Sequence, residues 1–181
     1  MKREPIRVVG SHKDVLPTTA PWRMLRPDVL TSIVAPSGLA DSGLDARLRL
    51  RLCQLRRLPV ATSRVLLEFD GPGAGQQILC QRDGSACEGG DLRLAALATI
   101  DALREATGGE LRLELLGVKS VRAFDTSVMM VAVQTAADDG TVRLVGAALV
   151  EDDLLVAVVR ATLHAANRLA APLLVRRHQL A

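Results

Sequence analysis

At 181 residues the chain is about one domain's worth, and its 49% hydrophobic content is enough for a substantial core. Trp22, Phe69 and Phe124 are the only aromatics, so Leu, Val and Ala must fill that core, and sites built on ring stacking, including platforms for single-stranded nucleic acid, are disfavoured. The net charge of +3 is uneven, with +6 over residues 1–60, −3 over 61–120 and 0 over 121–181, so the basic character belongs to the first third.

Cys53, Cys80 and Cys87 form no C-x-x-C pair and leave one unmatched, which predicts free thiols in a reducing cytoplasm. No apolar run approaches the length of a membrane span, and Met1-Lys2-Arg3-Glu4 is not followed by the apolar core of a signal peptide, so no membrane is expected as a partner.

Residues 1–44 hold Pro5, Pro17, Pro21, Pro27 and Pro36 without a sustained helical or alternating pattern, and read as an extended basic arm. Such an arm suits docking on a protein partner, with nucleic acid the less favoured target, and Trp22 is its natural anchor.

From residue 47 the period becomes two. Leu48, Leu50 and Leu52 are expected on one face of a strand and Arg47, Arg49 and Arg51 on the other, where the arginines form either a solvated face or an anion- and partner-binding stripe. Apolar strands follow at 62–70 and, past the turn Gly71-Pro72-Gly73-Ala74-Gly75, at 76–87. A helix is predicted over 91–106, announced by Glu88-Gly89-Gly90-Asp91.

The same order then recurs. Arg47-Leu48-Arg49-Leu50-Arg51-Leu52 aligns with Glu110-Leu111-Arg112-Leu113-Glu114-Leu115, and Ala98-Thr99-Ile100-Asp101-Ala102 with Ala161-Thr162-Leu163-His164-Ala165, at an ungapped offset of 63. Strands are therefore expected at 125–134 and 141–150, and a helix over 153–169 whose apolar arc is too wide for one sheet contact. The repeat also bears on Asp83-Gly84, which alone would suggest a hairpin turn. Its counterpart, Gly146-Ala147, sits in an uninterrupted apolar run, so Asp83-Gly84 is read as a bulge in one long strand.

The fold class is thus α+β, a strand-strand-strand-helix unit taken twice with pseudo-twofold symmetry and helices packed on antiparallel sheets. The expected organisation is an arm at 1–44, a duplicated domain at 45–171 with repeats 47–107 and 110–170, and a tail at 172–181.

Leu115-Leu116-Gly117-Val118-Lys119-Ser120-Val121, Asp125-Thr126, Leu149-Val150-Glu151-Asp152-Asp153-Leu154 and Ala165-Ala166-Asn167-Arg168-Leu169, together with Cys87-Glu88-Gly89-Gly90-Asp91, resemble the carboxy-terminal regulatory domain of α-isopropylmalate synthase and citramalate synthase. The resemblance covers about residues 45–170 and excludes that family's catalytic barrel. It implies a stand-alone regulatory and dimerisation module, a homodimer that binds a small effector such as an amino acid. Gly89, Gly90, Asp91, Asp125, Thr126, Asp152 and Asp153 are its candidate ligand-binding residues.

No chemistry emerges beside this reading. His12, His164 and His178 lie in no metal-ligand spacing, the glycine-rich turn lacks the Lys-Ser/Thr and helix of a phosphate loop, and no serine sits in a nucleophile elbow. A catalytic residue, a metal and a cofactor are therefore not expected, and the chain is read as a non-enzymatic module. The alternative role is a dimeric scaffold working through the basic arm.

Overall fold

The computed structural model describes residues 47–71, 76–87, 89–137 and 140–180; the expected arm, with Trp22, lies outside them. Among the described residues the elements run β1 (Arg49–Leu58), β2 (Thr62–Asp70), β3 (Gln77–Ser85), α1 (Gly90–Ala106), β4 (Glu114–Ala123), β5 (Thr126–Ala137), β6 (Gly140–Leu149) and α2 (Leu154–Leu180). They build two three-stranded antiparallel sheets, ordered β1-β2-β3 and β4-β5-β6, each followed by its helix. The fold is α+β, consistent with a duplicated unit.

Alternation writes the sheets. On β2, Ser63, Val65, Leu67 and Phe69 are fully buried and their neighbours are not; on β5, Met129, Val131 and Val133 repeat the pattern. Helix α1 covers β3 and β2, α2 covers β6 and β5, and the helices pack on each other. Each helix also touches the first strand of the other half, α1 on β4 and α2 on β1. The wide apolar arc of α2 is thereby covered from three sides. By length and composition α2 could cross a membrane, unlike any segment expected from the sequence, but its buried residues Ala157, Val158, Val159, Ala161, Ala165, Ala166, Ala170 and Leu174 belong to this core.

The order of elements repeats, but the alignment of the two halves is not ungapped. Leu50 matches Leu115, Val65 matches Met129, Cys80 matches Gly146 and Thr99 matches Thr162, so the offset runs 65, 64, 66 and 63 along the unit. A shared irregularity marks the frame: the register slips between Leu50 and Leu52 in β1 and between Leu115 and Gly117 in β4. The slip at Arg51 overturns the expected alternation. Leu50 lies opposite inward Phe69, whereas Leu52 lies opposite Glu68 on the outer face. Meanwhile β3 runs straight through Asp83 and Gly84, which pair with Arg64 and Ser63 in unbroken register, so neither a hairpin nor a bulge occurs there.

The expected tail at 172–181 is helix through Leu180, despite Pro172. Leu174 is 2% exposed, and the Arg177 guanidinium donates to the Glu105 carbonyl (3.0 Å) at the carboxy end of α1. Those contacts outweigh the single amide that proline removes.

Gly146 sets how closely α2 approaches β6. A Cβ there would collide with the backbone of Ala161 and Ala165. Replacement of Gly146 by Ala must push helix from sheet, with an expected loss of about 2–3 kcal/mol and a fall in Tm on the order of 10 °C. Thermal unfolding followed by circular dichroism checks this, and Gly117→Ala, where a Cβ meets nothing within 4 Å, is the matched control.

Candidate functional site

Of the two helix starts expected to receive a ligand, that of α1 is tied to β1 through Arg57. At α1, Gly89 adopts the left-handed conformation (φ 71°), the Gly90 amide donates to the Cys87 carbonyl (2.8 Å), and Asp91 takes two hydrogen bonds from Arg57 of β1 (3.0 and 2.6 Å). Arg57 also donates to buried Ser63. Sequence reasoning missed Arg57 because its partner lies 34 residues away. At α2, Asp153 Oδ1 accepts from the Leu155 amide (2.7 Å), an ordinary N-cap. Its charge is felt at Cys53, four residues before Arg57 and thus about 13 Å along β1.

These two starts do not merge into one pocket, and neither is free. A cleft of about 150 Å³ does open at α2, but Glu151, Asp152 and Asp153 line it, with Arg160 paired to Glu151 at 2.7 Å. Three carboxylates there disfavour an incoming carboxylate. Asp125 shares the β4–β5 turn with exposed Phe124 (φ 56°), Thr126 opens β5, and the neighbouring Ser127 carbonyl accepts from the Val150 amide just before α2.

The arginine stripe is dispersed. Arg47 lines a cleft of about 230 Å³ with Leu48, Leu103, Leu163, His164, Asn167, Ala170 and Leu174; Arg49 is exposed with its own polar partner; Arg51 pairs with Asp70 (3.5 Å) and Glu68 (3.9 Å). His164 Nδ1 sits against the Ala147 backbone on the side of β6 away from β5, 3.1 Å from its carbonyl oxygen and 3.3 Å from its nitrogen.

The outer faces of the two sheets, compared position by position, differ sharply in chemistry. Facing outward across the first sheet are the cross-strand rungs Arg56-Arg64-Asp83, Gln54-Leu66-Gln81 and Leu52-Glu68-Leu79. Arg64 and Asp83 are joined by two 2.7 Å hydrogen bonds, which hold the Asp83 carboxyl below its ordinary value. In the second sheet the corresponding rungs are Val121-Val128-Leu149, Lys119-Met130-Ala147 and Gly117-Ala132-Val145. Val145 and Leu149 are 60% and 58% exposed. Over these three rungs the first sheet mixes an ion pair with leucines and the second is mainly aliphatic; the next rung of the second sheet, Glu114-Gln134-Arg143, is polar, with Gln134 donating to Glu114 (2.6 Å). Continuous apolarity in β6 carried this signal, since a strand apolar on both faces is covered on both.

No protein-family model matches the chain, and no curated protein does either. Among the described residues no group of His, Cys, Asp and Glu could hold a metal ion.

The three cysteines are free thiols of unequal character. Burial, then Asp153, lifts Cys53 from 9.0 to about 11; burial, then Asp101 and Glu105, does the same for Cys80. Below pH 9 both stay protonated folded or unfolded. Between pH 9 and 11 the unfolded chain ionises first, so the stability these thiols contribute drains away as pH rises through that window. Iodoacetamide labelling of the native protein near pH 8 is expected to modify exposed Cys87 well before Cys53 and Cys80, read by peptide mass mapping.

Proposed function

We propose that this protein is a non-catalytic assembly module of the regulatory and dimerisation kind that the resemblance to the isopropylmalate synthase domain implies. Its two halves are related by a pseudo-twofold axis, and its working surface is the outer face of the second sheet. The observation that carries this reading is the replacement of the Arg56-Arg64-Asp83 rung by Val121-Val128-Leu149 at the equivalent place. Both halves face the same solvent, so a fold needing only solubility has no reason to treat its two sheets differently. Contiguous exposed apolar surface of this kind marks interaction sites.

Assembly is favoured over effector binding. The α1 start is already satisfied by Arg57 and Cys87, and the α2 start is ringed by carboxylates. An amino-acid effector, if bound, uses a state of the helix starts in which the Arg57–Asp91 pair has opened.

The surface itself is tested with an apolar fluorescent dye on dilute protein. Wild type is expected to enhance dye emission, Val145→Glu/Leu149→Glu to lose most of the enhancement, and Leu79→Glu on the first sheet to keep it. Equal enhancement by wild type and Val145→Glu/Leu149→Glu would overturn the reading.

A further inference from the structure

We infer that the cleft between α1, α2 and the start of β1 is a binding site for a short aliphatic monocarboxylate, a molecule with an anionic head, a tail of about four to six carbons and no amine. None of the helix-start residues and none of the outer-face residues of the second sheet lines this cleft, so the site is independent of both and does not rest on the assembly reading.

The walls come from both halves. On α2, Leu163, Asn167, Ala170 and Leu174 follow one another every three or four residues, which sets them in one stripe along the helix. Leu103 of α1 and Leu48, just ahead of β1, complete the cleft. Leu48, Leu103, Ala170 and Leu174 are buried, so the floor is aliphatic. No aromatic side chain is among the lining residues, which gives a ring nothing to stack on and leaves a saturated chain as the better complement. At about 230 Å³ the cleft lies below the roughly 300–1,000 Å³ of a drug-sized pocket, which limits the tail to about six carbons.

The polar lining is of one kind. It consists of Arg47, His164 and Asn167, the last two neighbours on the surface of α2. Arg51 and Arg57 are neutralised by carboxylates, whereas Arg47 has no partner among the described residues. The half-buried Asn167 carboxamide has none either. The Ala147 backbone engages Nδ1 of His164, which leaves Nε2 as the nitrogen open to a ligand. A guanidinium, a carboxamide and an imidazole can each donate to an oxyanion, and a guanidinium does so bidentately to a carboxylate.

The missing sign of charge narrows the class further. No Asp or Glu lines the cleft, so an ammonium group entering it meets the Arg47 guanidinium with no carboxylate to compensate. An α-amino acid is therefore disfavoured here, and the same carbon skeleton without its amine is preferred. A ligand in this position touches α1 and α2 together, so its binding adds to the stability of the contact between the halves.

Hexanoate is the probe, titrated into the full chain by isothermal calorimetry and followed by thermal unfolding. A dissociation constant of about 0.1–1 mM is expected, with a rise in Tm on the order of 5 °C at about 10 mM hexanoate. Hexylamine, of equal length and opposite charge, is expected not to bind, and norleucine, which is hexanoate carrying an α-ammonium, to bind at least about 10-fold more weakly. Arg47→Gln, at an exposed position, is expected to weaken hexanoate at least about 10-fold and leave the melt of the free protein unchanged. Asn167→Asp places a carboxylate in the cleft at nearly the same size and is expected to weaken hexanoate as much; should it unfold, Arg47→Gln decides alone. Arg122→Gln, exposed on β4 and outside the cleft, is expected to bind as wild type does. Absence of heat and of a Tm shift with hexanoate, norleucine or hexylamine binding as tightly as hexanoate, retained affinity in Arg47→Gln, or loss of binding in Arg122→Gln would each overturn the inference.

Discussion

The contact between α1 and α2 is the constraint on which everything else in this molecule depends. A three-stranded sheet with one helix cannot enclose a core, because the helix has more apolar surface than the sheet can cover. Each half solves this with the other, through helix on helix and through the reach of each helix to the opposite half's first strand. The near absence of aromatics decides the geometry of that solution. With Ala95, Ala96, Ala98 and Ala102 on one helix and Ala157, Ala161, Ala165 and Ala166 on the other, volume is supplied by close approach of backbones rather than by large side chains. Gly146 under α2 belongs to the same economy.

Close approach explains what sequence made legible. Element order, the β2 span and the α1 span follow from periodicity, because burial on one face imposes it. A constant offset of 63 does not survive, because the units differ by one to three residues at their turns and bulges while the helices stay in phase through Thr99 and Thr162, each bonded to the carbonyl four residues earlier. Alternation alone could not place Leu52, since a bulge leaves no trace in polarity when both neighbours of the slip are an arginine and a leucine. Nor could it foresee α2 continuing past Pro172. What holds that last stretch is the carboxy end of α1, a tertiary partner 72 residues upstream in the chain.

The candidate site was legible in one sense and misplaced in another. Gly89, Gly90 and Asp91 open α1 and Asp152 and Asp153 precede α2, where the sequence put them, and the α1 start is bound to Arg57 of β1. Their capacity to bind is consumed by partners that no local pattern announces, Arg57 above all. Carboxylates at a helix start are satisfied most cheaply by the helix itself and by a cation already in the fold, so motif position is a weak guide to a free site.

The recurrence of one order of elements gives this asymmetry its physical meaning. Two equivalent sheets begin with equivalent outer faces, and a protein that must stay soluble needs charge on at least one of them. The charged sheet does more than solvate: it removes the open-ended stacking that an apolar face would otherwise invite on a molecule carrying two similar sheets. Arg64 and Asp83 thus give the first sheet a charged outer face, while the rungs through Val121, Met130 and Val145 leave the second with an aliphatic one.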